Sequence, residues 1–425
     1  MLQFIQSFII GLLLVIVILI LLSIFLEKKS LKSFSSLDEQ KKYLEEDLWG
    51  IPNHWLNEEC IDTTAFALLI YSFLGNLKQI SDDKIEKEKL SEFFTRHLDR
   101  SLGGAKQSDL TYVSMYATRL LVSSHERNMS EFKLPLLNEE QKRSIIEFIK
   151  RCKIESNDGW IAWSPLPELS EPTVVSTTSA VRTLIKLEEP LNKNEIKKVE
   201  KFLKMQKTKK EINNKIMWCG FTNSKGTPRI CVLSQALSCL NELEKLKNSK
   251  RSLVAILKDD FGIEPDNIYN FVLSCWKEGK NNGGFACCPS LDCSIPTIPC
   301  TKFALKIISQ LTLENYNEND KEEQSIKRGE LTRVLKIPNE KKFASKIMNF
   351  VMSCYDKQSG GFKFGEEFDQ ADIYSTLQYL RILTLLENEL DQETKKKNEE
   401  IKKSIPKFVE LCKGSVGYYG YPNHT

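Results

Sequence analysis

Apolar residues along most of this chain recur at i, i+3, i+4 and i+7, as at Ile268, Phe271, Val272 and Cys275, with charged positions between them. That period draws one buried stripe along each helix. No stretch alternates apolar and polar residues as a half-buried strand would, so the pattern predicts an all-helical protein. One segment departs from it. Residues 4–26 carry no charge and are almost wholly Ile, Leu, Val and Phe. At a helical rise of ~1.5 Å per residue this segment is long enough to cross a bilayer. It lacks the basic start and small-residue cleavage site of a signal peptide. Lys28, Lys29 and Lys32 follow directly, which by the positive-inside rule keeps the rest of the chain in the cytoplasm. The expectation is a single-pass membrane protein with a cytoplasmic C-terminal body: residues 1–27 the transmembrane anchor, 28–48 a juxtamembrane linker and first helix, 49–425 the body.

Within the body a unit repeats. It consists of an amphipathic helix, a Gly-aromatic turn, a polar loop and a second helix that opens with Thr or Ser. One copy reads IYNFVLSC (268–275), GGF (283–285) and CTKFALKII (300–308); the next reads IMNFVMSC (347–354), GGF (360–362) and YSTLQYL (374–380). Weaker copies pair Phe202 and Gln206 with Gly220-Phe221, Phe148 and Cys152 with Gly159-Trp160, and Phe93 and His97 with Gly103-Gly104. Trp49-Gly50 fits a first copy, and Phe408, Cys412 and Gly417-Tyr418 form a last half-copy. Each helix must bury its stripe against neighbours, either in an open superhelix or, with about six pairs, in a closed double ring. Closure would set the Gly50 unit beside the Tyr418 unit. Glycine after the first helix lets the chain leave through a backbone conformation that a side chain would obstruct. Thr63-Thr64, Ser176-Thr177 and Ser375-Thr376 are placed to cap the second helix or to occupy its first turn.

A Phe-x3-Cys or Phe-x3-Gln helix, a Gly-Gly-Phe turn and a Thr-led second helix resemble the repeat of protein prenyltransferase β subunits, shared more loosely with squalene and other terpene cyclases. The resemblance implies an α/α toroid of about six helical hairpins in a double ring, following one N-terminal transmembrane helix. It also implies an isoprenoid or other lipid ligand, a partner subunit on the outer helices, and a zinc ion that activates a thiolate. That zinc would be held by an Asp and a Cys opening one inner helix and a His opening a later one. Cys300 matches the cysteine, but Ile298 stands at the aspartate position and, in Asp372-Ile-Tyr-Ser-Thr376, Ser375 stands at the histidine position. The family's diphosphate-neutralising Lys and Arg are also missing from residues 286–299, and no Asp-x-Asp-Asp motif of the cyclases is present. Two readings follow: an enzyme of isoprenoid chemistry, transferase or cyclase, or a non-catalytic binding or scaffolding toroid.

Composition narrows the partners. The net charge is +3, with 60 Lys and Arg against 57 Asp and Glu, so nothing points to nucleic acid. The N-terminal segment leaves the membrane as an expected partner, and the resemblance implies an isoprenoid or lipid ligand and a second subunit. The twelve cysteines are scattered through apolar patterns, as expected where thiols stay reduced. Cys152, Cys275, Cys354 and Cys412 each follow a Phe by four residues and read as core. His97 shares that position and reads as packed; His54 lies in a loop before an inner helix. The loop CCPSLDC (287–293), with Cys300 beyond it, is the densest group of soft ligands. Cys293 and Cys300 are its candidate metal ligands, but the spacing is not Cys-x2-Cys, so buried reduced thiols are the preferred reading over zinc. Aromatics beside the turns, Trp160, Trp163, Phe285, Phe362 and Tyr418 among them, fit a cavity lining or helix-end packing equally well. Asp372 and Tyr374, opening an inner helix, are the candidate polar groups facing the ring's centre, and the candidates for catalysis. Asp259 and Asp260 faintly resemble a magnesium motif. Glu366, Glu367 and Asp369 supply further carboxylates on one loop, which a carbohydrate-processing ring would need to face one cleft.

Overall fold

The structure, a computed structural model, describes residues 59–76, 83–99, 101–106, 113–127, 137–212, 215–224, 226–249, 251–278, 283–289, 295–312, 340–414, 417–418 and 421–422. All belong to one compact unit, Ile51–Thr425. Six helices make its inner layer: α1 (Ile61–Phe73), α3 (Met115–Arg127), α5 (Val174–Lys186), α7 (Ile230–Leu246), α10 (Ile298–Thr312) and α12 (Ile373–Leu386). Each packs on the next in that order, and α12 packs on α1, so the layer closes into a ring. Their partners in the outer layer are α2 (Lys84–His97), α4 (Glu139–Arg151), α6 (Lys193–Met205), α9 (Pro265–Ser274), α11 (Glu340–Ser353) and α14 (Ile405–Leu411). Two short helices, α8 (Leu253–Phe261) and α13 (Gln392–Lys402), complete the described set. This is the expected α/α toroid.

Composition sorts the two layers. In α5 the sequence VVSTTSAVRTLIK is buried over ten residues, because its small Ser, Thr and Ala side chains let neighbouring helices approach on both sides. In α4 only Ile145, Phe148 and Ile149 are buried, the stripe of a helix with one face in water. Asn138 and Gln141 start α4 with a capping box, and Asn192 and Glu195 start α6 in the same way.

Short antiparallel hairpins join or follow the outer helices: β1 (Ala105–Lys106) with β2 (Val113–Ser114), β3 (Lys153–Glu155) with β4 (Ile161–Trp163), β5 (Lys207–Ile212) with β6 (Lys215–Phe221), β7 (Trp276–Glu278) with β8 (Gly283–Phe285), and β9 (Phe362–Lys363) with β10 (Ala371–Asp372). Most are too short to show an alternating pattern, so the all-helical expectation missed them. The residue after the second glycine donates its N–H to the Thr at the fourth position of the following inner helix. Ala105 donates to Thr118, Trp163 to Thr177, Phe285 to Thr301 and Phe362 to Thr376, at 2.9, 3.1, 3.0 and 2.9 Å. These threonines therefore occupy the first turn and tie the strap to it. In the β3–β4 unit the strap residue is Trp163, preceded by Ala162. The expected pair Gly159-Trp160 instead turns the hairpin tip, with Gly159 at φ 77°.

A second backbone bond links each unit to the next. The first N–H of α3, α5, α7 and α10 reaches a carbonyl two residues beyond the next strap residue: Met115 to Pro165, Val174 to Asn223, Ile230 to Cys287 and Ile298 to Phe364. At the seam the Tyr418 N–H donates to Thr64 at 3.0 Å, the Thr63 hydroxyl donates to the Tyr418 carbonyl, and Gly417 lies against Phe93 of α2. Tyr418 thus serves α1 as Phe362 serves α12. Gly50 lies outside the described residues.

One expectation is corrected. Among the described residues no helix is long and apolar enough to cross a membrane, which overturns the single-pass localisation with a cytoplasmic body. The segment 4–26 on which it rested lies outside the described residues.

Candidate functional site

The second, fifth and ninth residues of the inner helices supply the polar groups that meet inside the ring. Tyr374, second in α12, has its hydroxyl pKa pushed well up by burial, and it also senses Tyr116 of α3, Arg381 of its own helix, Cys300 of α10 and Cys231 of α7. α3 and α7 each lie two places from α12 around the ring. Side chains from helices so placed meet across the centre. The Tyr374 ring also lies 5.1 Å from that of Phe66 on α1.

Three arginines face the same region. Arg119, fifth in α3, is lowered in pKa by burial and by the like charges of Arg182 on α5 and Arg381 on α12. Its guanidinium lies 5.1 Å from the Tyr116 ring, and its Nε has no hydrogen-bond partner. Burial raises the Tyr116 hydroxyl to about 12, against the opposing pull of Arg119, so this phenol stays neutral and brings no compensating charge. Arg182 has Glu242 of α7 at 4.0 Å, and Asp62 of α1 acts electrostatically on Tyr116. Lys302, fifth in α10 as Arg119 is in α3, is buried with its ammonium 5.1 Å from the Phe303 ring. The result is a half-buried, mainly cationic and aromatic centre, suited to an anion attached to an apolar body. The lack of Lys and Arg in residues 286–299 pointed away from this charge. Its signal was single basic residues at the fifth and ninth positions of otherwise apolar helices.

The residues at the three resembled zinc-ligand positions do not fit the ion. Ile298 is a fully buried hydrocarbon, Ser375 gives its hydroxyl hydrogen to Asp372 at 2.6 Å, and Cys300 hydrogen-bonds to Cys287. Among the described residues no three His, Cys, Asp or Glu side chains form a metal-holding group. Cys293 lies outside the described residues. Cys288 is disulfide-bonded, which departs from the expectation of reduced thiols, whereas Cys231, Cys287 and Cys300 are free. Cys231 and Cys300 both hydrogen-bond to Cys287. Those two bonds, with Arg229 nearby, bring the Cys287 thiol down to about 4, while its two partners are pushed well up.

Asp372 is the N-cap of α12: one carboxylate oxygen accepts the Ser375 N–H at 2.7 Å and the other the Ser375 hydroxyl. Burial raises its pKa from 3.8 to about 7, against these hydrogen bonds; Cys412 and Tyr421 are the titratable groups that sense it. The folded state therefore holds this proton more tightly than the unfolded chain. The stability it contributes is complete below pH ~4 and is lost as pH rises through ~7. Asn can keep the cap without the charge. Asp372→Asn is thus expected to remove ~2–4 kcal/mol of pH-dependent stability between pH 4 and 8, read as a flatter plot of urea midpoint against pH. An unchanged slope would place the titration elsewhere.

The remaining candidates pack. His97 is buried, with Nδ1 2.8 Å from the Phe93 carbonyl and its ring 4.3 Å from that of Phe93. Cys152, Cys275, Cys354 and Cys412 are fully buried. Trp163, Phe285, Phe362 and Tyr418 are buried strap residues; Phe362, for example, stacks on Tyr379 at 3.9 Å. Asp259 and Asp260 pair with Arg251, and Glu366, Glu367 and Asp369 are exposed. His54 lies outside the described residues.

A family profile described as Prenyltransferase alpha-alpha toroid domain matches residues 85–327 and 331–421. No curated protein matches the chain. Among solved structures, Candida albicans protein geranylgeranyltransferase-I complexed with GGPP is similar at 16% identity, covering 74% of this chain and 98% of that chain, with a TM-score of 0.36.

Proposed function

This chain belongs to the prenyltransferase alpha-alpha toroid family, and from that premise we propose that its ring binds one isoprenoid, or another lipid, through an anionic head such as a diphosphate. The observation that supports this reading is the convergence of Arg119, Arg182 and Arg381 from three inner helices, beside Tyr116, Tyr374 and Phe66. Like charges brought together in a half-buried site repel one another, and an anion offsets that repulsion. The apolar chain would lie along the aromatic side chains, its burial contributing ~0.8 kcal/mol per CH2.

Two outcomes of binding remain distinct. A transferase or cyclase of isoprenoid chemistry would need an activating group for the second substrate. Ile298 and Ser375, at two of the three resembled zinc-ligand positions, favour the second reading, a binding toroid that holds its ligand without reacting it.

Native mass spectrometry of the full chain, alone and with farnesyl or geranylgeranyl diphosphate in the presence of zinc, tests both. One retained prenyl diphosphate without zinc is expected. A chain that retains neither ligand while folded would refute the lumen reading. Retained zinc, with prenyl transfer to a thiol peptide, would replace the binding toroid by the enzyme.

A further inference from the structure

Among the described residues, six large apolar side chains are exposed: Met205, Ile216, Met217, Ile295, Phe368 and Leu411. Single exposed apolar residues are ordinary on any surface. Five of these six, however, fall in two segments of the fold, and each segment carries one sign of charge.

The first segment is the β5–β6 hairpin with the end of α6. Its strands are six and seven residues long, against two or three in the other described hairpins. Trp218 packs on Phe271 of α9, ring to ring at 5.3 Å. Just before it the register shifts, from Lys210 opposite Trp218 to Glu211 opposite Ile216, so Met217 is a bulged residue with no counterpart across the hairpin. A bulge bends its strand and re-aims the side chains there. Ile216 and Met217 are 36% and 44% exposed, and Met205, at the hairpin's base, is 52% exposed. The strands hold Lys207, Lys209, Lys210 and Lys215 against Glu211 alone, and Glu211 is already paired with Lys209 at 2.6 Å.

The second segment is the loop from β9 to β10, together with the residues that lead into α10. The Phe364 carbonyl accepts the Ile298 N–H at 3.0 Å. Gly365 lies between the Pro296 carbonyl and the Phe368 ring, which a Cβ there would meet at 3.0 and 3.5 Å. Phe368 and the Ile295-Pro296 segment are thereby set side by side, with Phe368 and Ile295 40% and 38% exposed. Glu366, Glu367 and Asp369 are exposed around them, and residues 364–370 contain no Lys or Arg.

We propose that these patches are the two halves of one contact between copies of this chain, the β5–β6 hairpin of one copy docking on the β9–β10 loop of a second. The apolar residues of both patches leave water together, and the lysines of one copy meet the carboxylates of the other. Like charge disfavours hairpin on hairpin and loop on loop, so the pairing is head to tail. A second copy fits better than an unrelated acidic surface, because the complementary patch, charge and apolar residues together, is present on the same chain. The contact stands whether or not the ring binds an isoprenoid.

Analytical ultracentrifugation of the full chain is expected to show self-association that weakens as salt rises. In an equal mixture of unlabelled and heavy-nitrogen-labelled chain, carbodiimide cross-linking should join Lys209 or Lys210 to Glu367 or Asp369 in peptides of mixed isotope. Lys209→Glu with Lys210→Glu, or Glu367→Lys with Asp369→Lys, should each weaken self-association at least ~10-fold, and mixing the two double variants should restore it. Circular dichroism of each variant checks that it is folded. Three results would overturn the proposal: a native chain that stays monomeric at low salt, cross-links between these residues only within one chain, or folded variants that fail to associate when mixed. A monomer that sediments with anionic phosphatidylserine vesicles through the same lysines would give the hairpin to a lipid surface and overturn it as well.

Discussion

Removing the chain from residue 413 onward is expected to cost more than ~5 kcal/mol of stability, because it opens the ring at its seam. Tyr418 is 1% exposed, so the deletion uncovers the surface of α1 and α2 on which it lies. Losing a buried aromatic of this size costs ~3–5 kcal/mol. Thr63 and Thr64, both buried, also lose the Tyr418 backbone groups with which they bond, at ~1–3 kcal/mol for each group left unsatisfied. In a linear array such a loss stays local. In a ring it also weakens one of six joints between inner helices, leaving α1 held there only by its packing on α12, so that α1 and α2 can open more easily than their neighbours. Urea denaturation should show a lower midpoint and a broadened transition as cooperativity weakens. Gly417→Leu isolates the seam without shortening the chain. Its Cβ would stand 2.7 Å from Phe93 and 2.9 Å from the Thr64 hydroxyl, so ~3 kcal/mol or more is expected from overpacking alone. A midpoint unchanged in both variants would mean that the seam carries no load.

The seam also marks where the sequence stopped being legible. The unit itself could be read because its helices are long enough to show a 3.6-residue period, and because Gly361 must lack a side chain: its Cβ would lie 2.5 Å from Phe408 of the next outer helix. The pattern allowed both an open superhelix and a closed ring, and the toroid followed from the resemblance of the repeat to that of protein prenyltransferase β subunits. Strands such as β1 and β9, two residues each, have no period to detect. The weak copy at Gly159 misled by one hairpin turn, since Ala162 fills the place that a second glycine holds elsewhere and Trp163, not Trp160, meets Thr177. Asp372 and Tyr374 were singled out together because both open an inner helix. One turn of backbone separates their fates: the carboxylate folds back to cap α12, while the phenol points to the centre. The three arginines could not be grouped from sequence, because 63 and 262 positions separate Arg182 and Arg381 from Arg119 and only ring closure brings them together.

Arg119→Met should weaken prenyl diphosphate binding by ~10–100-fold and at the same time raise the unfolding free energy by ~1–3 kcal/mol. The opposite signs are the content of the prediction. A structural arginine earns its burial through hydrogen bonds inside the protein, and its loss destabilises. Arg119 has a side-chain hydrogen bond to Tyr116 but leaves its Nε unpartnered and lies within the field of Arg182 and Arg381, so the ring contains repulsion that methionine, of similar reach and no charge, would relieve. With an anion present the balance reverses. A charge-assisted hydrogen bond to a phosphate oxygen contributes ~1.5–3 kcal/mol, and its loss appears in affinity alone. Arg251→Met is the control: that side chain is exposed and pairs with Asp259 and Asp260, and its removal should shift neither quantity by more than ~1 kcal/mol. Calorimetric titration with geranylgeranyl diphosphate and urea denaturation of the same preparations give both numbers. Loss of stability with unchanged affinity would make Arg119 a packing residue and remove the charge argument for an anionic ligand. A gain in stability with weakened binding would show the arginine cluster to be held against its own repulsion for the ligand's sake.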